Sequence, residues 1–333
     1  METQTSGYLS PSIGDSLDPI GVNIAERRGA DLFARTLSGL VYNIVRVKNH
    51  ERSVKNLLKR TVVKTLCVAA VVIFSFTVLW GLNYQRQPLA QSFGFEEQPV
   101  HINDLKAAAL RLSARCAELR PLLSEHEDGV MALWAEPRAV LAEAEDGYRA
   151  LASRDESLAR QYGVPKPLAL SPLLSSLWIG GFYFPFTGEA NINVDCPAPM
   201  LPFIVCHELA HQKGYAHEDE ANFLGYLACD AHSRPDFAYS GNLMALRYVL
   251  LALKKASSAE ASEALREIPE SVVRDIRTVD QWFIDNDSWA RSIAVETNDL
   301  YLKANGATDG VQSYGRMVDL LVAELRAREN AAG

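Results

Sequence analysis

An uncharged, strongly apolar run lies near the N-terminus of the chain. It extends over eighteen residues from Thr65 to Leu82, about the length needed to cross the hydrocarbon core of a bilayer. Trp80 and Tyr84 come at its far end, where aromatic residues favour the membrane–water interface. The run predicts one transmembrane helix over residues 62–84, with a buried core helix as the alternative. A cleaved signal peptide is disfavoured because a long charged segment precedes the run.

Beyond this run, apolar positions recur at spacings of three and four, the period of a helix. They predict helices over residues 103–123, 137–161, 203–213, 218–231, 240–256, 269–285, 289–302 and 314–328. Residues 163–203 are instead rich in proline and glycine. Within them, Ala190–Asp195 alternates apolar and polar residues, as a half-exposed strand does. The pattern predicts a mainly α fold with a small β-sheet region.

The charge of the chain changes sign along its length. Residues 1–84 carry ten basic and six acidic side chains, a balance of +4, whereas the remainder carries 23 and 35, a balance of −12. An acidic domain argues against nucleic-acid binding, which needs a basic surface. Basic segments that flank a span stay in the cytoplasm. We therefore expect a basic, partly disordered cytoplasmic segment over 1–61, the span over 62–84, and a domain outside the cytoplasm over 85–333.

An amphipathic pattern over residues 24–48 predicts a further helix within the cytoplasmic segment. Its polar positions include several arginines. A basic amphipathic helix can lie on a membrane surface, and packing against its own domain is the alternative.

The helix predicted over 203–213 contains His207-Glu208-x-x-His211, the H-E-x-x-H pattern. Residues four apart share one helix face, so both histidines can bind one zinc ion. Glu208 then lies beside the metal, where it can take a proton from a metal-activated water. The bare pattern occurs by chance in many chains. Here its apolar neighbours indicate a buried helix, in which unpaired polar groups are costly, and a metal would supply their partner.

A catalytic zinc usually has three protein ligands, and two residues compete for the third position. His217 completes H-E-x-x-H-x-x-G-x-x-H, in which a glycine turn brings a third histidine to the metal. Glu218 is the alternative, because it opens the next predicted helix and Asn222 follows it by four residues, as in gluzincin peptidases. The five cysteines contain no C-x-x-C pair, so a thiolate zinc site is not expected.

Several segments together resemble the domain-of-unknown-function family 3810, bacterial membrane-anchored proteins with a zincin-like signature. The resemblance covers most of the chain from residue 79 and rests on Trp80–Tyr84 with Arg86 and Pro88, Pro185–Asn193, the helix around His207, Glu218–Tyr226, Asn298–Asn305, and Gly310 with Ser313–Gly315. It implies a zincin-like α+β fold and a membrane-tethered metallopeptidase. The family pattern carries the acidic stretch and does not require histidine at position 217. The resemblance therefore also implies Glu218 rather than His217 as the third ligand.

These features predict a zinc peptidase in the inner membrane of a bacterium, acting on peptides or proteins outside the cytoplasm. Glu208 is the expected general base. Tyr301 and Tyr314 are candidate donors to the oxyanion, with Arg316 and His232 beside them. The rival hypothesis is a non-catalytic, membrane-anchored scaffold or sensor in which zinc braces two helices.

The strand predicted over 190–195 precedes the H-E-x-x-H helix by about a dozen residues. In zinc peptidases an exposed edge strand near the metal commonly binds the substrate backbone as an added strand. The predicted strand either has this role or is a structural hairpin strand.

Overall fold

The computed structural model describes residues 19–95, 98–304 and 316–332. The chain divides into two units, Met1–Val72 and Ile73–Gly333. Helix α1, Pro19–Leu79, is continuous over 61 residues. Its part Ala34–Leu79 is long and apolar enough to cross a membrane, and the side chains of its most apolar part are not buried. The predicted span is therefore mostly helical, and the helix predicted separately over 24–48 is part of α1.

The second unit contains further helices and a small sheet. Its helices are α2 (Leu89–Ser92), α3 (Ile102–Leu119), α4 (Pro137–Glu143), α5 (Glu145–Ala150), α6 (Ser171–Ser175), α7 (Leu201–Gln212), α8 (Glu218–Ala231), α9 (Pro235–Ala256), α10 (Ser258–Arg266), α11 (Glu270–Asp285), α12 (Trp289–Ala304) and α13 (Met317–Ala332). Its strands are β1 (Lys166–Pro167), β2 (Gly181–Phe184) and β3 (Glu189–Ile192). The prediction of a mainly α fold with a small β-sheet region is confirmed.

One predicted helix is broken in the structure, and another is described only in part. The helix expected over 137–161 is two short helices, α4 and α5, followed by a 3₁₀ turn at Glu156–Ala159. Gly147 of α5 packs so closely on α8 that an added Cβ would collide with the carbonyl oxygen of Ala228. The helix expected over 314–328 corresponds to α13, and residues 314 and 315 lie outside the described part of the chain.

Helix α8 lies at the centre of the second unit, as its apolar sequence predicts. Residues Glu220–Cys229 are all buried, and the helix packs against α5, α7, α9 and α13. Gly225 allows α8 to approach α7 closely, because an added Cβ would lie 3.2 Å from the backbone nitrogen of His207. This contact holds together the two helices that carry the candidate metal ligands.

The sheet has the strand order β1-β3-β2, with β3 parallel to β1 and antiparallel to β2. The strand predicted over 190–195 is present as β3, but it ends at Ile192 and lies in the middle of the sheet. Of the two roles considered for it, the exposed edge strand is excluded and the hairpin strand is present, because β1 and β2 pair with β3 on its two sides. The edge strand that packs against α7 is β2.

Candidate metal centre

His207 and His211 lie one turn apart on α7, and both are buried. Pro202 in the first turn has the backbone angle that a helix start requires. The Nε2 atoms of the two histidines are 3.1 Å apart. Two ring nitrogens that face each other at this distance need a proton or a cation between them, because their lone pairs would otherwise repel. The helix therefore presents two nitrogen donors to one point.

Glu218 supplies a third donor at the same point. Gly214 has a φ of +87°, a left-handed conformation that ends α7 and that glycine adopts without strain. The following turn leads into α8, where Glu218 Oε2 lies 3.4 Å from His207 Nε2 and 3.6 Å from His211 Nε2. Donors of a tetrahedral zinc with bonds of about 2.0–2.1 Å are about 3.3–3.4 Å apart. The spacing and chemistry of the three donors thus fit one zinc ion.

His217, the other candidate for the third ligand, lies elsewhere. It occupies the N-cap position of α8, and its ring packs edge-on against Tyr84 with centroids 5.1 Å apart. It lines a second cavity, together with Asp219. Among the described residues, the group of potential metal donors comprises His207, His211 and Glu218 without His217. The geometry favours Glu218 as the third ligand.

Neighbouring groups orient the two histidine rings. His211 Nδ1 lies 2.7 Å from the carbonyl oxygen of Tyr215, so this nitrogen carries the proton and Nε2 is left as the donor to a metal. The ring of Trp80 packs edge-on against His211 with centroids 5.7 Å apart. His207 Nδ1 is buried without a hydrogen-bond partner in the described part of the chain.

Residues at the end of the predicted span and just after it pack on the turn that joins α7 to α8. Arg86 donates to the carbonyl oxygen of Lys213 at 3.2 Å and to the Tyr215 hydroxyl at 3.0 Å. The Lys213 ammonium in turn donates to both carboxylate oxygens of Glu145 on α5, at 2.9 and 3.1 Å. A small apolar cluster covers the same turn: Trp80, Tyr84 and Ala216. These contacts determine where Glu218 lies relative to the histidines.

Glu208 is 4% exposed and faces strand β2. An added Cβ on Gly181 would lie 2.6 Å from Glu208 Cγ, so glycine leaves room for the carboxylate. One oxygen, Oε2, has no hydrogen-bond partner among the described residues. Burial raises the pKa of Glu208, and the charges of His207 and His211 offset this effect only in part. A buried carboxylate with a free oxygen suits a group that accepts a proton.

The pKa values of Glu218 and His211 shift in opposite directions. Burial favours the neutral acid, but the charge of His211 and hydrogen bonds from both histidines outweigh it and lower the pKa of Glu218. Burial also disfavours the imidazolium, yet the charge of Glu218 dominates and raises the pKa of His211 to about 9. His207, His211 and Glu218, together with Glu208 beside them, are called the metal group below, and they therefore attract a positive charge.

The three donors and Glu208 border a cavity of about 600 Å³. Strand β2 forms one wall, and aromatic side chains line much of the rest: Phe76, Trp80, Trp178, Phe203, Trp282 and Phe283. Trp178 has a φ of +59°, a strained conformation for an aromatic residue, and such strain tends to concentrate at functional sites. The volume and apolar lining are those of a ligand pocket.

Tyr248 on α9 also lines this cavity, and its position in an apolar helical stretch gives no sign of this in the sequence. Its hydroxyl donates to Asn222 Oδ1 at 3.3 Å. Burial, with a smaller contribution from the charge of Glu218, raises its pKa to about 12 against the opposing charge of Arg247. The hydroxyl therefore remains a hydrogen-bond donor at neutral pH.

The structure describes the side chains of two of the four oxyanion donors proposed from the sequence, and neither of these two lines this cavity. Tyr301 belongs to α12, and its side chain lies outside the described part of the structure, as does the whole of Tyr314. His232 Nε2 lies 3.0 Å from the carbonyl oxygen of Glu143, and this residue does not line the cavity of the three metal donors. Arg316 lines the second cavity. Of the donor candidates whose side chains are described, Tyr248 is the one in the cavity.

Comparisons with known proteins place the chain in a family. A search of the curated proteins and a search of the solved structures found no match. One family model matches residues 30–322, which include nearly all of α1, the sheet, the candidate metal donors and most of the helices that surround them. The chain therefore belongs to the family described as Protein of unknown function (DUF3810).

Proposed function

We propose that this protein is a membrane-anchored zinc peptidase. The observation that carries the proposal is the convergence of three donor atoms, 3.1–3.6 Å apart, beside a buried glutamate at the wall of a cavity. His207, His211 and Glu218 would hold the zinc ion. When bound, zinc supplies Lewis-acid chemistry, polarising a peptide carbonyl and lowering the pKa of a water towards about 7.

Glu208 is the general base of the proposed reaction. Its unpartnered Oε2 accepts the proton of the attacking water. The carboxylic acid so formed then gives that proton to the leaving amine as the C–N bond breaks. Burial of Glu208 favours the protonated form, which retains the proton between the two steps.

Tyr248 is the donor that we assign to the oxyanion of the tetrahedral intermediate. Tyr248 is one of the residues that line the cavity, and its hydroxyl is protonated at neutral pH. A donor aimed at developing negative charge in a water-poor site strengthens its hydrogen bond as the charge forms. This role was expected of Tyr301 or Tyr314, whose side chains lie outside the described part of the structure, so that prediction is untested. Among the described residues we assign the role to Tyr248.

Strand β2 is the proposed binding edge for the substrate backbone. Asn193 donates its backbone N–H to the carbonyl of Gly180, so even-numbered residues of β2 pair with β3. In an antiparallel ladder the alternate residues, Gly181 and Tyr183, point their N–H and C=O groups to the other side. That side is the free edge of the sheet, where an extended peptide can add as a further strand.

The proposed location of the peptidase follows from α1. The basic flank of the apolar run favours a cytoplasmic position for the residues before it. The metal group would then lie outside the cytoplasm, at the inner membrane of a bacterium. A reporter enzyme that is active only outside the cytoplasm, fused after Gly333, should be active. If instead a reporter that is active only inside the cytoplasm is active when fused at the same position, this orientation is contradicted.

A zinc ion that merely braces α7 and α8 is the rival role. A structural site is closed by four protein ligands, whereas a catalytic site has three and an open position. The described residues offer three donors, and these donors border a cavity. This arrangement supports an enzyme rather than a brace.

Glu208→Gln tests the function directly. The full-length protein in detergent should bind about one equivalent of zinc and cleave members of a quenched fluorescent peptide library rich in apolar residues. The variant should retain zinc while hydrolysis falls about 10²–10⁴-fold, the usual contribution of a general base. A wild-type protein that binds no zinc, or a variant as active as the wild type, would refute the proposal.

The third ligand is tested by two neighbouring substitutions. Glu218→Ala should greatly weaken zinc binding, because it removes one of three donors. His217→Ala is the matched control and should leave zinc content unchanged, since this ring packs on Tyr84 instead. The reverse result would assign the site to His217.

A further inference from the structure

We propose that the β2–β3 hairpin is a second membrane-contact element beside α1, inserted into the lipid interface through three phenylalanines. These residues, Phe182, Phe184 and Phe186, are here called the hairpin aromatic surface. The proposal rests on α1 crossing the membrane and does not depend on zinc or on peptidase activity.

The hairpin aromatic surface is unusually apolar for exposed residues. Phe182, Phe184 and Phe186 are 39%, 43% and 43% exposed. Phe182 and Phe184 alternate along β2 and therefore share one face of the sheet. The segment 180–188 contains no charged residue. A contiguous set of exposed aromatic rings without charges is typical of a contact with another apolar phase or partner.

Contact with α1 identifies the partner as lipid. The ring of Phe186 lies 6.4 Å from that of Phe76, and the rings of Phe184 and Phe186 are 5.4 Å apart. Phe76 belongs to the apolar run. It lies three residues before Leu79, the last residue of α1, which is about 5 Å along the helix axis. Because neighbours of Phe76 share its depth, the hairpin aromatic surface reaches the zone of headgroups and outer acyl chains, where aromatic anchors insert about 5–10 Å.

Residues from both faces of the hairpin border the cavity. Tyr183 packs against Trp80 with ring centroids 5.0 Å apart, and Trp80 packs against His211. Phe76, Phe182 and Pro185 line the same cavity as the candidate metal donors. Insertion of the hairpin would therefore bring these lining residues close to the lipid surface.

Depth-dependent fluorescence quenching tests this contact in the full-length protein. Phe184→Cys and Phe186→Cys are made separately in a Cys67→Ser background, in which the other four cysteines are buried, and labelled with an environment-sensitive dye. Leu122→Cys is the matched control, because Leu122 is an apolar residue that is 66% exposed and lies outside the hairpin. Each protein is reconstituted into phosphatidylcholine–phosphatidylglycerol vesicles with and without lipids spin-labelled near the headgroup.

Dyes at positions 184 and 186 should be quenched at least about twofold more strongly than the dye at 122, and their emission should shift to the blue. All three substituted positions are exposed or half-exposed, and circular dichroism checks that each variant retains its helices. Quenching at 184 and 186 no greater than at 122 would overturn the proposal. So would disulfide formation between two copies of the unlabelled Phe184→Cys variant without lipid quenching, which would assign the surface to a second copy of the chain.

Discussion

Two groups of buried charges in this protein are built in opposite ways. Around Asp275, which is fully buried, every acceptor is used: Oδ2 accepts from Arg120 Nε at 2.8 Å and from the Tyr239 hydroxyl at 2.5 Å, and Oδ1 accepts from the Met131 N–H at 2.9 Å. In the metal group, His207 Nδ1 and one oxygen of Glu208 have no described partner. Polar groups that only stabilise a fold are normally satisfied, whereas unpaired ones cost free energy and call for another explanation.

The two groups also differ in what surrounds them: protein side chains and backbone around Asp275, and a cavity beside Glu208. Arg120 also donates to the carbonyl of Gly129 and to Glu125, so the charge of Asp275 has a complete set of partners within the core. The donors around Glu208 instead border a cavity. The Asp275 group thus joins the end of α3 to α9 and α11, whereas the metal group borders a cavity and contains polar atoms without a described partner.

The largest expected effect is on stability, from matched amide substitutions in the two groups. Asp275→Asn leaves Arg120 without its buried counter-charge and should lower the free energy of unfolding by about 3–5 kcal/mol. Glu208→Gln should leave it unchanged or raise it, because the amide avoids the cost of a buried charge. Urea unfolding of the detergent-solubilised protein, followed by tryptophan fluorescence, measures both. Equal losses would contradict the distinction between the groups.

Two tyrosines on α9 give the next largest effect. Tyr248→Phe should lower the rate of peptide hydrolysis about 10²–10³-fold, the usual loss for one oxyanion donor, with a stability change of only about 1 kcal/mol. Tyr239→Phe removes a hydrogen bond to Asp275 and should reduce stability while leaving the rate constant of the folded enzyme unchanged. Hydrolysis rates and urea unfolding of both variants test the pair. A Tyr248→Phe enzyme with the wild-type rate would exclude this residue as the donor.

Zinc should stabilise the protein through the metal group alone. At a free zinc concentration one hundred times the dissociation constant, the expected gain is about 2.7 kcal/mol. Glu218→Gln should lose most of this gain, whereas Asp275→Asn should retain it in spite of its lower baseline. Thermal unfolding with buffered zinc provides the measurement, and a gain that survives in Glu218→Gln would remove that residue from the site.

A smaller effect concerns pH and a third, fully paired charge cluster. Arg154 donates to both carboxylate oxygens of Glu324, at 2.6 and 2.8 Å, and Arg328 donates to the same group. Although burial opposes it, hydrogen bonds from the two arginines lower the pKa of Glu324 from 4.5. A lowered folded-state pKa adds stability that is present above pH 4.5 and lost as the pH falls through the folded value. Glu324→Gln should therefore weaken the acid dependence of unfolding, and an unchanged pH profile would contradict this assignment.

The sequence correctly predicted those features that depend on residues only a few positions apart. The four-residue separation of His207 and His211 places both rings on one helix face whatever the fold, and the glycine at 214 ends that helix through a backbone preference of its own. The apolar run in α1 and the uniformly apolar α8 are likewise local patterns. These features were predicted correctly because each depends on residues within one element.

Other features depended on contacts between distant segments. The choice between His217 and Glu218 follows from a turn held by Arg86 and Trp80, which lie more than 120 residues earlier in the chain. Tyr248 was hidden in an apolar helical stretch, where a tyrosine looks like any other core residue. The middle position of β3 could not be read from its alternation, because β2 is a run of aromatic residues without a period of its own.

The sequence by itself thus determined the apolar segment, the mainly α fold and two histidine donors with a glutamate beside them, because helix geometry relates residues three or four apart in a known way. Only the tertiary structure decided which side chain lies beside those histidines, which strand borders the cavity and that Tyr248 is among the residues lining it. Those outcomes depend on how helices and strands pack, and packing joins residues whose separation along the chain carries no information about their distance in space.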